Sequence, residues 1–446
     1  MDMERADVVL DILRHLPPRN LAACRCVCTA WRAVIDDHRL LRADLLPLSL
    51  DAVIYETSEP DAPSLFSRLS TSRTMTSALD YLDVDSPVDK NYLWPMLDHC
   101  NGLLLLDDNM VVNPATRQWV KLPPLPHWHT LSGCTSCQRD PYLVYDPTVS
   151  PHYDVLLIPR IPFETTTHHK CCYESAPTME WPPSPYVISV FSSETRRWEE
   201  RSYMREGDAA GIVADLKFSG MSESILFYSA YWRGALYVRW QYAFLLRMNL
   251  SNGKYQIIKL PRGNKGAPRV GKSKNGVYCS LLHRRCICEV WFLDESRGQM
   301  NWVLKNEINL EPAEIKFPVA DGPWVLQSSD EMEWLLKNGP NFKATDESIK
   351  ALVQDDFDWD SDDENAVSTA DWPRECCGSY PPVYECLGFH PYKEIVLFHD
   401  GSKTTVAYHF NSSKVRYLGK MWIYHEEIEA SFAYTPCWTR DLPGSN

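Results

Sequence analysis

Glycine is scarce in this chain, 19 of 446 residues, while Trp (16), Tyr (22) and Pro (32) are plentiful. Aromatic residues favour strands, and proline breaks helices and keeps to sheet edges, so the composition leans towards β structure. No apolar run approaches the roughly 20 residues of a membrane-spanning helix, and no membrane association is expected. A basic-then-apolar leader is also missing, since the chain opens with Asp2, Glu4 and Asp7. The expectation is a soluble protein of the cytoplasm or nucleus. Positive charge is short as well. A net charge of −14 with no Lys/Arg stripe argues against a nucleic-acid binder. Residues 355–364 alone carry seven negatives (Asp355, Asp356, Asp358, Asp360, Asp362, Asp363 and Glu364) and no positive charge. The remainder, about −7, is ordinary for a soluble protein.

Catalytic signatures are missing too. There is no Gly-x-Ser-x-Gly, no Walker loop and no Gly-x-Gly-x-x-Gly. Arg262-Gly263-Asn264-Lys265-Gly266 lies between two expected strands with no helix after it, and reads as a hairpin connection. No pair of carboxylates is fixed across a cleft by any motif. The expectation is a non-enzyme without a cofactor. The 15 cysteines are odd in number, in a long chain without an export signal, and read as reduced, small buried hydrophobes.

What is present begins at the N-terminus. Val9, Ile12, Leu13 and Leu16 recur at helical spacing, and so do Leu21, Cys24, Val27, Cys28 and Trp31. Pro17 and Pro18 end the first helix, and Asn20 stands where a second needs a cap. About forty residues bury too little surface to be stable alone, so an apolar helical pair of this size calls for a partner. Leu16-Pro17 followed by Val27-Cys28-x-x-Trp31-Arg32 resembles an F-box, over residues 4–45. The resemblance implies docking on a Skp-family adaptor of a cullin–RING ubiquitin ligase. The contact residues it implies are Val9, Ile12, Leu13, Leu16, Pro17, Leu21, Val27, Cys28, Trp31 and Arg32. One departure stands out: Glu4 and Arg5 occupy the positions where an F-box usually opens with Leu-Pro.

Residues 46–94 read as a connecting segment with one candidate strand at Val53-Ile54-Tyr55. A weak repeat follows. Its clearest copy runs Asn101-Gly102-Leu103-Leu104-Leu105-Leu106, then Met110-Val111-Val112-Asn113-Pro114-Ala115-Thr116-Arg117-Gln118-Trp119, and closes with Leu122-Pro123. Echoes occur at 142–158, 186–198, 225–261, 276–302 and 384–417. Tracts of 40 to 60 residues, each worth three or four short strands, suggest radially repeated small sheets. The region 95–440 resembles the F-box-associated, kelch-like β-propeller of plant F-box proteins, with about six blades. The alternative architecture is a pair of two-sheet sandwiches. An acidic insertion at 343–375 reads as solvated and disordered, with one candidate helix at 344–353.

The expected fold is thus a small all-α head followed by an all-β propeller. The expected function is substrate recognition in an SCF-type ligase, with the propeller holding a target protein. A second possibility is a propeller that binds a ligand or glycan, or acts as an enzyme, beneath a merely structural helical cap; Trp232, Trp240 and Trp324 are candidates for lining its mouth. His127, His129, Cys134 and Cys137 supply four zinc-ligand side chains within eleven residues, at a spacing unlike a familiar finger. His168, His169, Cys171 and Cys172 form a weaker cluster of the same kind.

Overall fold

The computed structural model describes residues 3–16, 21, 24–25, 27–38, 40, 50–57, 63–68, 79, 81–82, 95–125, 138–161, 176–216, 228–240, 244–262, 267–283, 286–296, 298–310, 324–326, 367–368, 384–401, 404–421, 423, 428–437 and 442–444. Pro17, both Cys/His clusters and the candidate helix at 344–353 lie outside them, as does the acidic run.

Among the described residues the head has helices α1 (Met3–Arg14) and α2 (Thr29–Asp37), with Leu21, Cys24 and Arg25 also helical between them. The expected second helix is thus corrected: a turn at Val27 separates Leu21 and Cys24 from the helix that carries Trp31. Helix α1 starts ahead of Glu4 and Arg5, so helix continues where an F-box usually opens with Leu-Pro. Arg14 in its last turn complements the negative end of the helix dipole. Cys28 caps α2, its Sγ accepting the Trp31 N–H at 3.5 Å, as a capping side chain does at the third helical position. Leu13, Leu21 and Ile35 are the buried centre, with Val9, Leu16, Cys24, Trp31, Val34 and Leu40 packed around it.

Among the described residues the body is mostly antiparallel β structure in five sheets, of nine, eight, four, four and two strands. The two largest are each joined by a parallel pairing, Met204 with Lys254 in one and Trp324 with Gly419 in the other, and the strands are taken below in six groups of four, here called units. The first unit joins β1 (Ala52–Thr57) and β2 (Ser64–Arg68) to two strands from far along the chain. The second is β3 (Met96–Cys100), β4 (Leu103–Leu106), β5 (Met110–Asn113) and β6 (Gln118–Lys121). The third is β7 (Gln138–Tyr145), β8 (Tyr153–Arg160), β10 (Tyr186–Ser192) and β11 (Arg197–Glu206). Beside it, β9 (Glu180–Trp181) pairs with β12 (Gly211–Ile212), which leads into a single turn, α3 (Val213–Leu216). The fourth is β13 (Ser229–Trp232), β14 (Ala235–Trp240), β15 (Phe244–Asn249) and β16 (Lys254–Lys259). The fifth is β17 (Ala267–Ser273), β18 (Gly276–His283), β19 (Ile287–Asp294) and β20 (Asn301–Asn309).

Two further strands lie between the fifth and sixth units in sequence, β21 (Trp324–Leu326) and β22 (Val367–Ser368). The sixth unit is β23 (Glu385–Phe389), β24 (Ile395–His399), β25 (Thr404–His409) and β26 (Lys414–Lys420). Strand β27 (Ile428–Tyr434) then returns to β1, pairing Val53 with Ala433, while β21 completes the first unit on the far side of β2. The segment 46–94 therefore supplies two body strands. Val367–Ser368, within the expected insertion, pairs with β26.

The repeat in the sequence has a structural cause. In four units the turn before the last strand ends on a residue of positive φ, Arg117, Arg196, Gly253 and Ser413, and in the fifth Gly298 takes it three residues before the strand. In the third and fifth units a tryptophan on that strand ties the unit to the exit of the one before. Trp198 Nε1 donates to the Pro123 carbonyl at 2.8 Å, and Trp302 Nε1 to the Lys259 carbonyl at 2.8 Å. In the first of these the tryptophan strand and the closing Leu122-Pro123 are two halves of one contact.

Neighbouring units share cores. Tyr186 and Tyr255 meet across the third and fourth at 5.8 Å, Tyr278 and Phe389 across the fifth and sixth at 5.9 Å. His99 and Phe432 meet at 4.3 Å, tilted by 49°, between the second and first. Trp240 and Trp324 are both buried, in the cores of the third and fourth units and of the sixth and first. That corrects their expected place at a mouth: large rings at unit interfaces fill core volume. Trp232 is half-buried beneath Arg233.

Candidate functional site

Two features qualify, an outward face of the head and a cavity where the inner strands of the body meet. On the head, residues four apart on a helix share a face. Val8 and Ile12 do so on α1 and are 60% and 59% exposed; Val27, just before α2, is 64% exposed. Isolated exposed apolar side chains are ordinary, but these are three of the seven large hydrophobics that stand exposed among the described residues, all within the first 27 positions.

The expected contact residues divide. Ile12, Val27 and Cys28 face outward, although Cys28 is also occupied in capping α2. Val9, Leu16, Trp31 and Arg32 are half-buried. Leu13 (2% exposed) and Leu21 are corrected: they face inward and hold the helices together with Ile35. Val8 was missed; its apolar side chain four residues before Ile12 was the available signal.

The cavity is lined by β3, β13, β17, β23 and β27, has a volume of about 60 Å³, and lies among the innermost strands of five units. Arg269 and Lys272 of β17 are its cations. Arg269 acts as a clamp: its terminal nitrogens donate to the Cys386, Leu387 and Ser431 carbonyls and to Ser431 Oγ. The Tyr228 ring lies 4.1 Å beneath its guanidinium carbon. Lys272 Nζ donates to Asn101 Oδ1. Asn101 in turn donates from Nδ2 to the Tyr145 carbonyl at 2.6 Å. Gly102, at φ +88°, presses against Thr435 and Cys437, where an added Cβ would lie 2.6 Å from the Thr435 carbonyl oxygen.

The electrostatics here are one-sided. Burial pushes the His99 pKa down to about 3, and the positive charges of Lys272 and Arg269 push it the same way. Burial also lowers Lys272, against the pull of Cys100 and Asp146. Asp98 is fully buried; its carboxylate accepts the Leu143 N–H at 2.7 Å and the Ser229 hydroxyl at 3.0 Å. Burial still raises its pKa to about 7, with those bonds opposing. No local pattern marked Arg269 and Lys272, which meet Ser431 and Asn101 across more than 160 residues of chain.

Comparison with known proteins bears on the head. Residues 6–43 match the F-box domain model. In Arabidopsis thaliana, "Putative F-box protein At4g21240" is 29% identical over 180 residues, 39% of this chain and 41% of that protein. "Putative F-box protein At3g10240", from the same plant, is 26% identical over 156 residues, 33% of this chain and 38% of that one. The chain thus spans about two fifths of the length of these relatives. Among solved structures, a hypothetical selenium-binding protein from Sulfolobus tokodaii aligns with a TM-score of 0.37 at 11% identity, covering 84% of this chain and 74% of that one. The helical head, with its inward Leu13 and Leu21 and outward Val8, Ile12 and Val27, is an F-box domain at the N-terminus of the chain.

Proposed function

We propose that this chain is a substrate-recognition subunit of an SCF-type cullin–RING ubiquitin ligase, active in the cytoplasm or nucleus. The F-box, residues 4–45, docks a Skp-family adaptor through Val8, Ile12 and Val27, with Trp31 and Arg32 at the rim. The six units from residue 46 onward form a six-bladed β-propeller of the F-box-associated kind, closed where the strand at 428–434 pairs with that at 52–57, and its loops hold a target protein. The chain itself performs no chemistry; it accelerates ubiquitin transfer by holding reactants together.

The observation that carries this reading is the exposed apolar face on a domain whose own core is complete without it. Co-expression with a Skp-family adaptor tests it. The expected result is copurification, lost in the triple variant Val8→Ser/Ile12→Ser/Val27→Ser while circular dichroism of the chain stays unchanged. Failure of the parent chain to copurify, or an undiminished yield from the triple variant, would sink the reading. The glycan-binding alternative loses its main support, because Trp240 and Trp324 are buried among other core side chains.

A further inference from the structure

Charged groups inside proteins are almost always paired, because leaving an ion unpaired in a low-dielectric site is expensive. The central cavity departs from that rule. Arg269 and Lys272 both line it, and among the described residues neither makes an ion pair with a carboxylate; their partners are carbonyls, a hydroxyl, an amide oxygen and a ring. The nearby acids stop short of an ion pair. Asp98 accepts from Leu143 and Ser229, and Asp146 accepts the Thr148 N–H and hydroxyl and acts on Lys272 only through its field.

The two cations are not equivalent. Both terminal nitrogens of Arg269 already donate to protein oxygens, so it contributes field and rigidity. Lys272 spends one donor on Asn101 and keeps two, since an ammonium has three. One available cation matches a single negative charge. A volume of about 60 Å³ holds only a few atoms. Beside the cations stand Tyr228, Phe389 and Phe432, apolar surface suited to one or two methylenes.

We infer that the central cavity binds a carboxylate on a short aliphatic stem, held by Lys272 with Arg269 fixed behind it. Such a group reaches the cavity either as a free small carboxylic acid or as an Asp or Glu side chain of another protein. The inference is independent of adaptor docking, since the F-box face lies on the other part of the chain.

Titration of the full-length chain with propionate, followed by the Lys272 Nζ resonance and by thermal shift, tests it. Saturable binding is expected, with movement of that resonance in the parent chain. Lys272→Gln should weaken binding at least about tenfold, as removal of one partner of a charge pair does, while Lys272→Arg retains it. A short peptide carrying one Glu, compared with its Gln counterpart, separates the sources. Preference for the Glu peptide identifies a protein side chain as the ligand; equal, negligible binding of both peptides beside saturable propionate identifies a free acid. An unmoved Lys272 resonance, unsaturable binding, equal affinity in Lys272→Gln, or tighter binding of inorganic phosphate than of propionate overturns the inference. The resonance test needs no variant, so misfolding of Lys272→Gln leaves it decisive. The triple F-box variant should bind propionate as the parent does, which keeps this result separate from the fate of the adaptor reading.

Discussion

The F-box and the β body meet the demand for a buried core in opposite ways. The head closes around Leu13, Leu21 and Ile35 and leaves Val8, Ile12 and Val27 in water. The body distributes its apolar residues over six clusters, most of them shared between adjoining units, and each unit is completed by its neighbours. A domain with a core this small gains most from a partner, whereas each unit of the body already shares a core with its neighbours. The difference teaches where binding energy remains to be collected: on the outside of the head, and in the body at the cavity between units.

The comparison breaks most visibly in the body. Phe398 of β24 is fully buried in the cluster that joins the fifth and sixth units. Phe398→Ala should cost about 3–5 kcal/mol and lower the main thermal transition by calorimetry, because both the ring's burial and the packing around it are lost. If the units are coupled through shared cores, the whole transition moves; an isolated low-temperature shoulder would instead show independent units.

Leu13→Ala makes the matching cut in the head. Removing one of the three side chains at the centre of the head cluster should cost about 2–3 kcal/mol of helical stability. The expected outcome is loss of helical signal at 222 nm with the main β transition in place. A simultaneous drop in that transition would show that the head is part of the body's core.

Smaller in size, but specific in sign, is the effect of Asp98. Its folded pKa of about 7 stands above the ordinary value near 3.9, so the folded state holds its proton more tightly. The stability this supplies is complete below about pH 4 and is lost as pH rises through 7. His99, held near 3 from an ordinary value of 6.5, acts in the opposite sense and loses stability as pH falls. Comparing Asp98→Asn with the parent at each pH isolates the carboxylate. The variant should gain about 1–2 kcal/mol relative to the parent between pH 6 and pH 8. A constant difference across that range would refute ionisation at this site.

The first helix, most strands and the turns were legible because each is local: helical spacing in the head, and Asn-Pro-x-Thr or Ser-Ser-x-Thr before a tryptophan strand in the body. The second helix was misplaced, because apolar spacing runs on through the turn at Val27 and hid the helix start at Thr29. Which apolar residues face a partner was not legible. Ile12 and Leu13 sit side by side in one helix, about 100° apart, and spacing alone cannot say which looks inward; the structure turns Leu13 in and Ile12 out. The first unit was hidden for another reason. Val53 pairs with Ala433 across nearly the whole chain, and no local pattern carries a contact of that separation. The same distance effect concealed the cavity, where Lys272 meets Asn101 and Arg269 meets Ser431 across more than 160 residues of chain. Tryptophans were readable as strand residues and misleading as a site, since a buried ring and a binding ring look alike in sequence.

The smallest effect on stability sharpens the comparison most. Val8→Ser/Ile12→Ser removes apolar surface that already lies in water, and such surface changes usually stay within about 0.5 kcal/mol. Thermal and denaturant unfolding of the variant should therefore overlay the parent. A melting point that fell by several degrees would mean that these side chains pack against the chain itself, and the head would then resemble the body, with its core complete only through its neighbours. An overlay combined with loss of adaptor copurification has the opposite meaning. It would show that the head folds around one set of apolar residues and reserves another for a second protein.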